Sequence, residues 1–350
     1  MHVSVRSAVP LLTAVALLAT VPAARADAPA SKPSPDPRQF TIRDARITES
    51  SGLAASRAHP HVYWTHNDSD DGPYVYAVDS RTGKTVATVT LRGINPRDVE
   101  GISIGPKGDI YVGDIGDNFD GRWNEVWIYR FREPAKLRDT TVDPVRYTVR
   151  YADGGRDAES LMVHPRTGRV YIASKNDRRG GLYEQPDTLN ASGVNTFRRI
   201  ADTELSATDG AFSPDGSRLV LRGYFSARMY RWEKGGSGHR PRFLSTVRVP
   251  MQWQGESVTY TPDGRFLMFG AEGRNSAVKP VELSGRELPG SLREKVEREQ
   301  DGDGERGDAR GGDDDGDSPA ANSNTVVGLV TFVVAVSAWL GLRRLFRRRD

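Results

Sequence analysis

Apolar and polar residues alternate in short runs along most of this chain, and Gly- and Pro-rich turns interrupt the runs every few residues. Alternation with a period of two predicts antiparallel β-strands with one face packed and one solvated. Between Phe40 and Leu288 no segment shows the 3.6-residue periodicity of an amphipathic helix. Five of the runs begin alike: Ser51-Gly52-Leu53, Glu100-Gly101-Ile102, Glu159-Ser160-Leu161, Asp209-Gly210-Ala211 and Glu256-Ser257-Val258. Each leads to a turn and a second β-rich run, as Pro106-Lys107-Gly108 leads to Ile110-Tyr111-Val112. The first residues of the five copies are 49, 59, 50 and 47 positions apart. Repeats of that length built from strands predict an all-β propeller, with five blades of four antiparallel strands as the direct count. The 59-residue interval leaves room for a sixth.

The second copy offers strands at Val99–Ile104, Asp109–Gly113, Glu125–Phe131 and Arg146–Tyr151, and the fourth at Gly210–Ser213, Arg218–Arg222, Arg228–Trp232 and Arg242–Val249. The last copy runs out after three strands. Phe40–Ile47 precedes the first copy, so pairing it with the last would close the ring and remove an exposed edge.

The ends carry different signals. Residues 1–26 hold Arg6, an apolar stretch from Val9 to Val21 and the small-residue site Ala24-Arg25-Ala26, which predicts a signal peptide. Residues 27–39 are a Pro-rich tether, 40–290 the propeller, and 291–324 an acidic, Gly- and Asp-rich stretch expected to be a disordered stalk. Thr325–Leu342 is an uncharged run that would span about 27 Å as a helix, enough to cross a bilayer. The five arginines of the 343–350 tail then place the C-terminus in the cytoplasm and the propeller outside the cell, on a single-pass anchor.

This topology alters the meaning of the charge. The net +3 includes two arginines in the signal segment and a net +4 in the tail, which leaves the exported part at −3. The basic balance therefore reports orientation and gives no support for a nucleic-acid partner. The chain has no cysteine, so neither disulfides nor thiolate zinc can hold it. Its size allows a core sufficient for a monomer.

Inner strands of a propeller line its axis, which would bring Ser51, Glu100, Glu159, Asp209 and Glu256 to one channel. Positions two earlier share a strand face and are Glu49, Asp98, Asp157, Ala207 and Gln254, a second acidic layer. Carboxylates about 6 Å apart repel by roughly 3 kcal/mol per pair at an effective dielectric near 20. A hard, oxygen-seeking cation such as Ca2+ would relieve this, with Ser51, Glu100, Glu159, Asp209 and Glu256 as its ligands. The alternative is a water-filled channel whose acids accept backbone N–H bonds and hold the blades in register.

A second polar set falls where each second strand ends: His66, Asn67 and Asp68; Asp114, Asp117 and Asn118; Lys175, Asn176 and Asp177; Arg222; Glu272. Strand ends at one propeller mouth suit a polar or anionic ligand, or a protein partner, with Lys175 and Arg222 as anion contacts. Asp68 or Asp114 could position water if the ion served a hydrolase. Trp123 and Trp253 fall outside the strand pattern and are candidates for an aromatic platform.

The strings Glu49-Ser50-Ser51-Gly52-Leu53 and Asp98-Val99-Glu100-Gly101-Ile102 resemble inner strands of bacterial propellers of the phytase-like and NHL-type groups. With Ile110-Tyr111-Val112-Gly113 following, the pattern is also similar to that of the five-bladed calcium-dependent apyrases. That resemblance implies a tunnel calcium at Ser51, Glu100, Glu159 and Glu256, with Asp209 in place of a less acidic residue, and hydrolysis of nucleoside di- and triphosphates. The longer nucleotide-contact segments of that family have no counterpart here. Two functions stay open: a surface-displayed binding module, and a metal-dependent phosphoester hydrolase, with a glycoside hydrolase less favoured because it needs an asymmetric pair of acids.

Overall fold

A computed structural model describes residues 36–68, 71–119, 121–176, 180–236 and 238–304. The expected signal peptide, nearly all of the tether, the stalk beyond residue 304, the apolar run 325–342, the basic tail and Asp177 lie outside the described residues. Among the described residues no helix is long and apolar enough to cross a membrane.

The fold is all-β and propeller-like. Strand β1 (Phe40–Thr41) belongs to the end of the chain rather than to its start, as described below. The first antiparallel unit is β2 (Ser50–Ala55), β3 (Val62–Asn67), β4 (Tyr74–Asp79) and β5 (Lys84–Leu91). The next contains β6 (Val99–Ile104), β7 (Asp109–Asp114) and β8 (Val126–Arg132); then β9 (Thr140–Val142) adds in parallel to β5, and β10 (Val145–Tyr151) completes the unit against β8. β11 (Ala158–Val163), β12 (Val170–Ser174), β13 (Gly181–Glu184) and β14 (Val194–Asp202) follow. A parallel β10–β14 pair fuses this unit with the preceding one into an eight-stranded sheet. β15 (Asp209–Phe212), β16 (Arg218–Arg222), β17 (Ala227–Gly235) and β18 (Gly238–Val247) form another four-stranded sheet. In the last, β19 (Gly255–Tyr260), β20 (Phe266–Ala271) and β21 (Ala277–Glu282) take β1 as their fourth strand, Phe40 opposite Val278. The N-terminal segment thus closes the ring as the pattern predicted, although only Phe40 and Thr41 of Phe40–Ile47 are strand.

The first strands of successive units neighbour one another in a closed cycle: β2, β6, β11, β15, β19 and back to β2. Being covered on every side, β11 and β19 are buried along their whole length, whereas outer β14 alternates buried and exposed positions before its last residues. The apolar core is divided into layers, each pressed between two adjacent units. Trp64, Val75 and Val89 meet Ile102, Val112 and Phe131 in one layer, and Tyr171 and Leu182 meet Phe212, Leu221 and Trp232 in another. A fully buried side chain of this size stabilises by roughly 1.5–3 kcal/mol, so this inter-unit packing dominates the fold. The turns between first and second strands end in Gly108, Gly216 and Gly264, all at φ between 72° and 76°. A Cβ-bearing residue there would be strained.

One expectation is corrected. Gly290–Gly304 is an α-helix, α1, where a disordered stalk was expected from residue 291. Its early residues, Ser291-Leu292-Arg293-Glu294-Lys295, include strong helix formers. Its first N–H groups also find acceptors: Gly290 donates to Ser217 Oγ at 2.7 Å and Ser291 to Asp215 Oδ2 at 2.9 Å. Composition shows the polarity of this segment but not the cap supplied from a distant turn.

Candidate functional site

Antiparallel pairing brings the start of each first strand beside the end of its second strand, with Ser50 opposite Asn67, Val99 opposite Asp114, Ala158 opposite Ser174, Asp209 opposite Arg222 and Gly255 opposite Ala271. Because the first strands form a cycle, these ends and their loops gather at one mouth. Four of the pairings carry a register shift, and each falls at the repeated position: Ser50/Leu53, Val99/Gly101, Ala158/Ser160 and Gly255/Val258. Ser51, Glu100, Glu159 and Glu256 therefore sit in β-bulges, which re-aim a side chain out of the regular pleat. The fifth pairing, β15 with β16, is regular, and Asp209 behaves differently from the others.

Two neighbouring clusters result. In the first, one carboxylate oxygen each from Asp68, Asp98 and Glu100 lie within 4.8 Å of one another. Ser51 Oγ donates to Glu100 Oε2 at 3.0 Å, and Asn118 Nδ2 to Asp98 Oδ2 at 2.9 Å. Asp98 Oδ1 is buried without a hydrogen-bond partner among the described residues. Burial, and then the neighbouring Asp68 charge, pushes Asp98 up to about 8. Burial followed by Glu159, Asp68 and Asp98 drives Glu100 well above the usual carboxylate range.

In the second cluster Lys175 Nζ bonds Glu159 Oε1, and the ammonium lies 5.3 Å from the centre of the Tyr224 ring. Burial pulls Lys175 down, but Glu159, Tyr224, Glu100 and Glu256 outweigh it and hold the amine firmly charged. Burial likewise pushes Glu159 up while Lys175 draws it back. Glu256 rises to about 8, through burial first, with Lys175 opposing and Glu272 adding. Gln254 Nε2 donates to Glu272 Oε2 at 2.7 Å. One half of the acidic mouth thus has an internal cation, and the other relies on hydrogen bonds from Ser51 and Asn118.

Several expected site residues are committed to the scaffold. Asp209 accepts N–H bonds from Gly210 at 2.7 Å and from Val258 of the next unit at 2.8 Å, so it staples two sheets and is no ion ligand. Arg222 is fully buried and donates to the carbonyls of Ser257 and Gly270, both at 2.6 Å, which removes it from any anion site. Asp114 accepts from Asp98 N–H at 3.0 Å and Tyr129 Oη at 2.8 Å, leaving it no role in positioning water. Asp117 ties its own loop through Phe119 and Trp123 N–H groups. Asn67 accepts from the N–H groups of Thr48 and Glu49 and donates to Arg46 O and Asp71. His66 is buried, with Nδ1 donating to Asn67 O at 2.9 Å, and burial lowers its pKa, keeping it neutral.

Of the second layer, Asp98 joins the first cluster, while Asp157 accepts the Asp117 N–H at 2.9 Å. Trp123 is also used internally: the Arg97 guanidinium lies 3.9 Å from its ring centre and 3.7 Å from that of Trp127. Trp253 is 60% exposed, and the mouth loops also expose Met251, Phe225 and Phe119. Tyr224 was not singled out from the sequence. Its only signal was an aromatic pair directly after the Arg222-Gly223 strand end.

No protein-family model matches the chain, and no curated protein matches it in sequence. Among solved structures it is similar to hydrazine synthase of Kuenenia stuttgartiensis, with 14% identity, TM-score 0.35 and 65% of this chain aligned to 57% of that one. It is also similar to a PQQ-bound aldose sugar dehydrogenase of Streptomyces coelicolor, with 13% identity, TM-score 0.38 and 71% of this chain aligned to 99% of that one. A third is an auxiliary nutrient binding protein of Bacteroides thetaiotaomicron, with 11% identity, TM-score 0.40 and 72% aligned to 61%. The chain spans little more than half the length of the hydrazine synthase chain. Likeness at this level carries no functional argument, and the propeller-like fold rests on the sheet topology itself.

Proposed function

We propose that the chain is a five-bladed β-propeller acting as an extracellular, membrane-anchored binding module, with a Ca2+ ion at Asp68, Asp98 and Glu100 fixing the shape of its mouth. The observation that carries the ion is the approach of three carboxylates to within 4.8 Å, one of them presenting a buried oxygen without a partner. Oxygen-only donors of this charge suit Ca2+, with waters and carbonyls completing its shell. Lys175 is bonded to Glu159 on the adjacent unit, which argues against one symmetric ion bound by every inner-strand acid. Exposed Trp253, Met251, Phe225 and Phe119 supply apolar contacts at the same mouth, the residue types enriched at protein-binding surfaces. The anchor is the apolar run 325–342 with its arginine tail.

The scaffold roles of Asp114 and Arg222 favour binding over phosphoester hydrolysis, since they withdraw the residues expected to position water and to neutralise developing charge. The test is thermal unfolding of the full chain in mild detergent with millimolar Ca2+ or with chelator. Ion at a hundred times its dissociation constant adds about 2.7 kcal/mol. That is a rise of roughly 5–10 °C for a domain of this size. No rise for the wild type, or an equal rise for Glu100→Gln, would sink the ion reading, and turnover of nucleotides abolished by Glu100→Gln would replace the binding module with the hydrolase.

A further inference from the structure

At the end of the strands opposite the acidic mouth, a cleft of about 340 Å³ opens between the second and third units. That volume lies in the range of small-molecule sites. Tyr111 on β7 and Arg130 on β8 are directly paired, so their side chains share one face of the sheet. Tyr147 on β10 lies diagonally beside them: Arg130 pairs with Val145, two residues before it. The Arg130 guanidinium rests 5.3 Å from the Tyr147 ring centre, on the sheet face it shares with Tyr111. Both tyrosines are buried, which gives the cleft an apolar wall and holds the guanidinium in place.

The ion pairs around the cleft leave its two cations without a paired acid. Its two acids, Asp109 and Asp187, each lie against an arginine outside the cleft wall, Arg132 at 3.3 Å and Arg169 at 3.8 Å, the latter shared with Glu184 at 3.0 Å. Its two cations, Lys107 and Arg130, form no ion pair among the described residues. A planar guanidinium held against a tyrosine ring and forming no ion pair is a recognition element for an oxyanion. We infer that this cleft binds a small molecule bearing a phosphate or carboxylate group, with Arg130 as the bidentate contact and Lys107 as a second charge. The site is separate from the acidic mouth and independent of any ion bound there.

Calorimetric titration of the full chain with inorganic phosphate and with citrate, at ionic strength fixed by chloride, tests the assignment. One saturable site is expected for at least one of the two, the tighter probe telling a phosphate ligand from a carboxylate one. Arg130→Gln should weaken binding by about tenfold or more, the loss of a charge-assisted bidentate bond. Lys107→Gln, at an exposed turn residue, should weaken it by a few-fold and keeps the test valid if Arg130→Gln folds poorly. Glu100→Gln should leave it unchanged. Heats no greater than chloride for both probes, or affinities unaltered by both cleft variants, would overturn the inference.

Discussion

Replacing Lys175 with methionine keeps most of the length of the side chain and removes the cation bonded to Glu159. Glu159 is then left buried, its Oε2 already without a hydrogen-bond partner, and Glu100 and Glu256 still press on it electrostatically. Two unit charges about 4 Å apart interact by roughly 4 kcal/mol at an effective dielectric of 20. Breaking one side of a buried pair costs about 3–5 kcal/mol. Lys175 keeps 23% of its side-chain surface exposed and Glu159 only 5%, which places the expected loss near the lower end, about 3 kcal/mol at pH 8. The sign with pH follows from the carboxyl group. Without Lys175 the folded-state pKa of Glu159 rises further above its unfolded value of 4.5, so the penalty grows as pH climbs from there and shrinks as pH falls toward it. Urea unfolding at pH 5 and pH 8 measures both. The double variant Lys175→Met/Glu159→Gln should recover most of the loss at pH 8, because the uncompensated charge is gone. A single variant that loses less than about 1 kcal/mol at pH 8, or a double variant no better than the single, would refute the view that Lys175 serves as the internal counter-ion.

The metal-free protein should become less stable as pH rises from about 4 through 8, because Asp98 and Glu256, lifted to about 8 in the fold, must lose protons that the unfolded chain has already released. For Asp98 alone a rise from 3.8 to about 8 corresponds to several kcal/mol, and saturating Ca2+ should flatten the slope on the Asp98 side; chelated and calcium-loaded melting curves across that range give the comparison. Asp209→Ala and Arg222→Met should each cost about 2–4 kcal/mol in urea titrations, since each strands buried backbone partners in a neighbouring sheet, yet neither should alter calcium affinity. A calcium defect in either variant would contradict their assignment as staples.

The fold was largely readable in the chain because its signals are local. An acid or Ser, a small residue and an apolar residue mark each inner strand, and a glycine turn follows in all but the first. Even ring closure could be read, from a last copy with three strands and a first preceded by Phe40. The site was read less well because its geometry is a property of pairs of strands. Counting by twos from Glu100 placed Asp98 in a separate layer, whereas the bulge between Val99 and Gly101 brings both into one cluster with Asp68. Asp209 matched its counterparts in sequence, but its strand lacks the bulge and its carboxylate turns to backbone donors. Arg222 looked like a surface cation at a strand end. Only the stacking of the next sheet shows that its guanidinium has two buried carbonyls to satisfy.

Equilibrium dialysis of the full chain against labelled Ca2+ tests the central claim most directly, with wild type beside Asp98→Asn, Glu100→Gln and Glu159→Gln. The account predicts one ion per chain for the wild type, its loss in the first two variants, and its retention in Glu159→Gln, whose carboxylate is already held by Lys175. Absence of a bound ion in the wild type, or binding that depends on Glu159 as strongly as on Asp98 and Glu100, would contradict it.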